Sequence, residues 1–460
     1  MNDPEMKKEN ISTVMRDLSA YISGSLGQDL SVEVLEKGKH HLLDTLSAMI
    51  SGSRLKPGKL AISYVRSLGG EPQCTVVGSD LCTNSVNAAL ANGILAHSDE
   101  TDDSHLAGRF HPGCGIVPGA LAAAELNQSR GIDLLKAVIL GYDIGARFNI
   151  SMGPRVLYAG GHSSHSVGTL FGASAAAAAL FGHNDEQVRH QLSFTVQQAS
   201  GVQCWARDNQ HSEKAFDFGG MGARNALAAA TMVNQGFTGV EDVLTGKNNF
   251  YSAFSDKPEP DALIDALGIR YEIMRATIKK WAAGSPIQGA LDALVALMEE
   301  GDLKASDVEK IKIQLPDDRA HVVDNRSMPD ICLQHLLAVT LLDGGFTFAA
   351  AHDYQRMADS DVLALRAKID LEANSELTVA LPPRQVILDI QTRDGRALSY
   401  RTHAVKGTPD NPMTRDEVIY KSRDLIEPIL GREQCEKLIE ALLNIESMDN
   451  VSALRPLLQA

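Results

Sequence analysis

The chain is poor in several things, and each shortage narrows the possibilities. Cysteine is one: six residues in 460 (Cys74, Cys82, Cys114, Cys204, Cys332, Cys435), scattered and without a C-x-x-C pair. That spacing excludes a disulfide scaffold and points to buried free thiols. Long apolar runs are also missing, since nothing approaches the ~20 residues of a membrane helix. The first ten residues, MNDPEMKKEN, are polar and lack a signal-peptide core, which predicts a soluble, cytoplasmic protein. Positive charge is short as well: 43 basic residues against 58 acidic ones leave a net −15. Such a field repels nucleic acid and anionic membranes, so neither is an expected partner. A local cluster of Lys, Arg and His can still invert the potential in one cleft. Aromatics make up only 5%, while the 44% hydrophobic and 22% charged fractions are those of a globular chain. The length suits about two to four domains and a substantial core without metals. Internal repeats and low-complexity linkers are absent.

The first 270 residues or so carry helical periodicity. Leu42, Leu43, Leu46 and Met49 form one stripe, and Val86, Leu90 and Ile94 another. The alanine-rich block LFGASAAAAALFG (170–182) predicts a central helix packed on all sides, because small side chains let backbones approach. Gly131, Gly141, Gly182, Gly201 and Gly236 are read as helix boundaries. Beyond Tyr271 the pattern changes. Ile311, Ile313 and Leu315 alternate with polar residues, as do Val386, Leu388 and Ile390. Asp394-Gly395 then marks a hairpin with a type I′ turn, and Thr414 with Glu417 a capping box. The expected fold is mainly α with a smaller α+β part: an all-helical domain from residues 1–272 and 405–460, and an inserted α+β lid at 273–404.

Four segments could carry chemistry. AHSDETDDSHLAGRFHPG (96–113) packs Asp99, Glu100, Asp102 and Asp103 into five positions, followed by Ser104, His105 and His111-Pro112. Acids this dense need solvent, a metal or cationic partners. They are either a solvated helix end or a proton-handling site with His111 aimed from a turn. AGGHSSHSVGT (159–169) precedes the alanine-rich helix, where free amides and the helix dipole favour an anion. His162 sits in that loop, and His162 with His165 offers two metal ligands without a third. In ARDNQHSEKAFDFGGMGAR (206–224), Lys214 precedes glycines 219, 220 and 222, read as opening a helix. This is neither a P-loop nor a dinucleotide fingerprint. IKKWAAGSP (278–286) places Lys279, Lys280 and Trp281 at the apparent domain junction. His111, His162, Lys214 and a junction lysine together suit a substrate with two or more carboxylates that loses a proton beside one of them.

In this order the segments resemble the MmgE/PrpD family, whose members include 2-methylcitrate dehydratase, cis-aconitate decarboxylase and iminodisuccinate epimerase. NRSMPDICLQH…LLDGG (325–345) adds to the likeness, which spans nearly the whole chain. The resemblance implies a homodimer, no cofactor and no metal, a site between the domains, and a di- or tricarboxylate substrate. It places Glu100 at a usual catalytic aspartate and Ser104 at a usual threonine. His111, His162, Lys214 and Lys279 fall at family site positions. Substrate contacts are expected from Ser104, Asp102, Asp103, Gly161, Ser163 and Trp281. The chain departs from the family at Ala282-Ala283-Gly284 and at Gln288, and only Ala320 and His321 fall near the decarboxylase's lid tyrosine.

The leading expectation is a cofactor-independent lyase that dehydrates a polycarboxylate. One of His111 and His162 takes the proton and the other assists the leaving hydroxide, while Lys214 and Lys279 hold carboxylates. Epimerisation and decarboxylation are the alternatives. A Mg²⁺-dependent prenyl-diphosphate enzyme would need a second acidic motif, and a non-catalytic ligand-binding dimer would bind without turnover.

Overall fold

A computed structural model describes residues 11–460; the polar stretch 1–10 lies outside the described residues. The fold is mainly α with a smaller α+β part. Two compact units emerge: one takes in the residues up to 98, 102–276 and 425–460, the other 99–101 and 277–424. Among the described residues no helix is long and apolar enough to cross a membrane.

In the larger unit, α1 (Val32–Gly52), α2 (Ser85–Ala96), α3 (Gly113–Leu126), α4 (Gly131–Met152), α5 (Ser164–Leu180) and α6 (Met221–Asn234) surround a common core. The alanine-rich α5 is buried along its whole length and packs on α3, α4 and α6, as its composition predicts. Leu42, Leu43, Leu46 and Met49 are all fully buried on α1. Removing one such side chain costs about 2–5 kcal/mol.

The glycines correct the boundary reading in one place. Gly131 opens α4, and Gly182 and Gly236 follow α5 and α6 with positive φ. Gly141, however, lies in the middle of α4. A Cβ on Gly172 would stand 2.5 Å from the Gly141 carbonyl oxygen, so α4 and α5 cross backbone to backbone. The ~1 kcal/mol of helix propensity a glycine gives up is offset there by close packing. On α2 the core face is Ala88, Ala89, Ala91 and Leu95, while Val86 and Ile94 of the expected stripe are half-buried. Small residues take that side because Gly93 meets the backbone of Gly219, with 2.6 Å between a hypothetical Cβ and its carbonyl.

The smaller unit holds a four-stranded sheet in the order β2-β1-β3-β4, from β1 (Val308–Pro316), β2 (Ile369–Asn374), β3 (Val386–Thr392) and β4 (Ala397–Thr402). Ile311, Ile313 and Leu315 face inward on β1, as their alternation requires. Outward, Lys310 and Lys312 pair with Asp370 and Glu372 of the parallel neighbour β2 at 2.8 and 2.7 Å. The hairpin at Asp394-Gly395 is present, but its turn is not type I′. Thr392 and Arg396 close a three-residue loop in which Gly395 alone takes positive φ, the type I turn plus glycine bulge that fits a loop of this length. α7 (Gln288–Gly301) packs on β3 and β4. Thr414 caps α8 (Arg415–Leu430) reciprocally with Glu417, the box read from sequence.

Candidate active site

The four acids of the 99–103 run are all buried, which removes the solvated-helix reading. Each is matched instead by a base or cation. Asp102 Oδ1 accepts from His111 Nδ1 at 3.0 Å, and His97 Nδ1 lies 3.0 Å from the same oxygen. Asp103 takes His41 Nδ1 at 2.6 Å, the Tyr142 hydroxyl at 2.5 Å and the Gly113 amide at 2.9 Å. Asp99 pairs with His352 at 2.8 Å, and Glu100 with Lys279 at 3.4 Å. Burial alone would lower the His352 pKa; the Asp99 carboxylate outweighs it and pushes the imidazole up to about 9. His352 in turn holds the Asp99 carboxyl below its ordinary value, against the effect of burial.

Around Asp102 the larger unit assembles an aromatic and imidazole cluster. His111 stands at the turn before α3, as Pro112 and Gly113 predict, with 12% of its side chain exposed. Its ring centroid is 5.0 Å from that of His97 and 5.3 Å from that of His165. Phe218 lies between two imidazoles, stacked on His97 at 4.4 Å and on His165 at 3.5 Å. A π-helical turn, Phe216–Gly220, aims it there, the kind of helix defect common at functional sites. His165 is at the second residue of α5, with Nε2 2.8 Å from the Tyr158 hydroxyl. Burial, reinforced by His111, His97 and Lys214, holds its pKa well below the ordinary histidine value, so this imidazole is neutral at pH 7. His211, in left-handed backbone at φ 60°, stands 5.0 Å from His97.

The remaining expected residues are distributed unevenly. Lys214 joins the cluster, its ammonium 5.1 Å from the Phe218 ring and 5.9 Å from Trp205, a cation–π arrangement. The glycines after it run straight from the π turn into α6, so no open amide cradle forms there. His162 is half-buried, with its ring 5.2 Å from Phe254 and its backbone bridged to Val202. Ser163 immediately precedes α5, and its hydroxyl donates to Asp217 at 2.5 Å instead of capping the helix; burial pushes this carboxyl up to about 7. Gly161 turns the chain at φ 79°. The Ser104 hydroxyl is buried without a hydrogen-bond partner. Lys279, fully buried in the smaller unit, donates to the Glu100 carbonyl at 2.7 Å. Trp281 bonds Asp292 at 2.9 Å, and Gln288 ties the turn from Trp281 to Ala283 together with two bonds of 2.8 Å.

Among the described residues, His97, Asp102 and Cys114 form one group that could hold a metal ion, their ligand atoms lying within 4.8 Å of one another. The Cys114 thiol already donates to the His111 carbonyl at 3.1 Å. His97, Tyr158, Phe218, His211 and His352 escaped the sequence reading, and His165 entered it only as a metal ligand. For His97 the available signal was its place five residues before Asp102 in the acid run. Tyr158 was likewise close, seven residues before His165, whereas Phe218, His211 and His352 meet their histidine or acid partners from far along the chain.

A model described as the MmgE/PrpD N-terminal domain matches residues 16–263, and one described as the MmgE/PrpD C-terminal domain matches residues 281–446. The chain belongs to the MmgE/PrpD family. Similar proteins cover this MmgE/PrpD chain almost end to end. The cis-aconitate decarboxylase-like protein oryM of Aspergillus oryzae is 24% identical over 97% of each chain. The cis-aconitate decarboxylase of Homo sapiens is 25% identical over 98% of this chain and 95% of its own. That of Aspergillus terreus is 22% identical over 97% and 96%.

Proposed function

We propose that the protein is a cofactor-independent lyase acting on a di- or tricarboxylate by proton transfer beside a carboxylate. The observation that carries this is the Asp102–His111 pair facing a neutral, desolvated His165. A carboxylate on Nδ1 orients the imidazole and leaves Nε2 as the basic atom. His111 then takes the proton from the carbon next to the substrate carboxylate. The electron pair left there spreads into that carboxylate, and the half-buried Lys214 ammonium is the cation that stabilises it. In a dehydration the pair forms the double bond as hydroxide departs, leaving as water with the proton that His111 has taken from the carbon, while the neutral His165, bonded to the Tyr158 hydroxyl, orients the leaving group. This is the first reading, with a hydroxy-tricarboxylate as substrate.

Decarboxylation of an unsaturated tricarboxylate is the second, favoured by the names and near-complete coverage of the relatives. There CO₂ leaves its bonding pair on an allylic carbanion, and an imidazole returns the proton. Epimerisation would use His111 and His165 from opposite faces. The enzyme is taken to work as a cytoplasmic homodimer without nucleic-acid or membrane partners.

The test is incubation of EDTA-treated protein in D₂O with pooled citrate, methylcitrate, aconitate, tartrate and iminodisuccinate, followed by NMR and CO₂ release. Deuterium entering one carbon with water lost supports dehydration, and released CO₂ supports the second reading. A folded protein that labels and converts none of them overturns the proposal.

A further inference from the structure

The three residues before Asp102 are held by cationic side chains from three separate parts of the chain. His352 stands 2.8 Å from Asp99, and Asp99 accepts the Thr101 amide at 3.0 Å and the Thr101 hydroxyl at 2.6 Å, a tight Asx turn. Lys279 donates to the Glu100 carbonyl at 2.7 Å. Lys421, only 6% exposed, donates to the Thr101 carbonyl at 3.0 Å. That carbonyl belongs to the peptide group that leads directly into Asp102. The chain is therefore fixed at Asp99, at Glu100 and at the peptide before the carboxylate that orients His111.

Buried charges are a poor way to gain stability, because desolvation offsets most of their attraction and apolar residues of similar volume do as well. What such bonds do provide is one conformation of a short backbone segment, held by residues whose own positions are fixed by packing. Both Lys421 and His352 act on main chain or on a turn, not on a side chain that reaches the imidazole cluster.

We propose that His352 and Lys421 are positioning residues for the Asp102–His111 pair. His352 acts through Asp99 and Thr101, and Lys421 through the Thr101 carbonyl. A shift of about 1 Å at Asp102 would take its 3.0 Å contact with His111 out of hydrogen-bond range, and errors of that size cost about 10²-fold in rate. The kinetic part rests on the proposed function; the structural part does not.

The experiment uses the full chain with ¹⁵N-labelled histidine, the His111 Nδ1–H signal being assigned by its loss in His111→Gln. In His352→Gln and in Lys421→Met this signal is expected to shift or broaden, and in His352→Lys, which keeps the charge, to return. If a polycarboxylate is turned over, kcat should fall ~10²-fold in the first two variants with KM little changed. Should His352→Gln fail to fold, Asp99→Asn, which keeps the size of the turn, takes its place. An unchanged His111 signal in folded variants, with only Tm lowered, assigns both residues a merely structural role and overturns the proposal. Because the NMR readout needs no substrate, failure to find a turned-over polycarboxylate leaves this test intact.

Discussion

Asp102 and Asp103 are adjacent, chemically identical, fully buried, and each bound to a histidine, yet they build two different regions. Asp103 is saturated by His41, Tyr142 and the Gly113 amide, and so ties α1, α3 and α4 together. Its histidine is wholly buried, and burial together with the Lys37 charge pulls the His41 pKa down to about 4 in spite of the Asp103 bond. Asp102 serves His111, which keeps part of its ring exposed, beside a second imidazole system. The difference is access. A carboxylate–imidazole pair sealed in a core is a strut, whereas the pair whose imidazole keeps part of its surface exposed is the one proposed above to move a proton.

Mutation can break this comparison. The largest effect is expected at the open pair: His111→Ala should cut turnover by ~10²–10⁴-fold with folding intact, and Asp102→Asn should follow it through loss of the orienting carboxylate. At the sealed pair, Asp103→Ala should leave a buried imidazole and hydroxyl unmatched and lower unfolding free energy by about 3–5 kcal/mol, read by denaturant titration. If Asp103→Ala abolished turnover at unchanged stability, the two roles assigned here would be exchanged.

The pH dependence of Tm sharpens the contrast further. His41, faced by Asp103, Lys37 and His40, has a folded pKa below its unfolded value. Its contribution is present above pH ~6.5 and lost as pH falls through 4. His352, faced by Asp99 and Asp330, has a raised folded pKa, so its contribution is present below pH ~6.5 and lost as pH rises through 9. His41→Gln should therefore flatten the acid limb of a Tm-against-pH curve and His352→Gln the alkaline limb. The smallest effect is expected at His162. With its ring on Phe254, His162→Ala should lower kcat less than His165→Ala, whose imidazole faces His111. The reverse order in steady-state rates would return the acid–base role to His162.

Much of this architecture is written locally. The buried alanine-rich helix, the alternation of Ile311, Ile313 and Leu315, the hairpin at Gly395 and the Thr414 cap all arise from forces acting within a few residues. So does the family likeness, which depends on the order of short motifs. β2 escaped because Asp370 and Glu372 make it look like surface text until Lys310 and Lys312 stand beside them. The turn type at Asp394-Gly395 was missed because loop length, set by the register of β3 and β4, chose it.

The sequence by itself determined a helix-rich, mainly α chain with a smaller mixed part, a single acid-dense run and the histidines available to it. Which histidine meets which acid was decided only by the tertiary structure. The partners of that run lie 62 residues away for His41, 179 for Lys279 and 320 for Lys421. Periodicity and capping are short-range effects, whereas a buried charge must be matched by whatever the packed core brings within 3 Å of it.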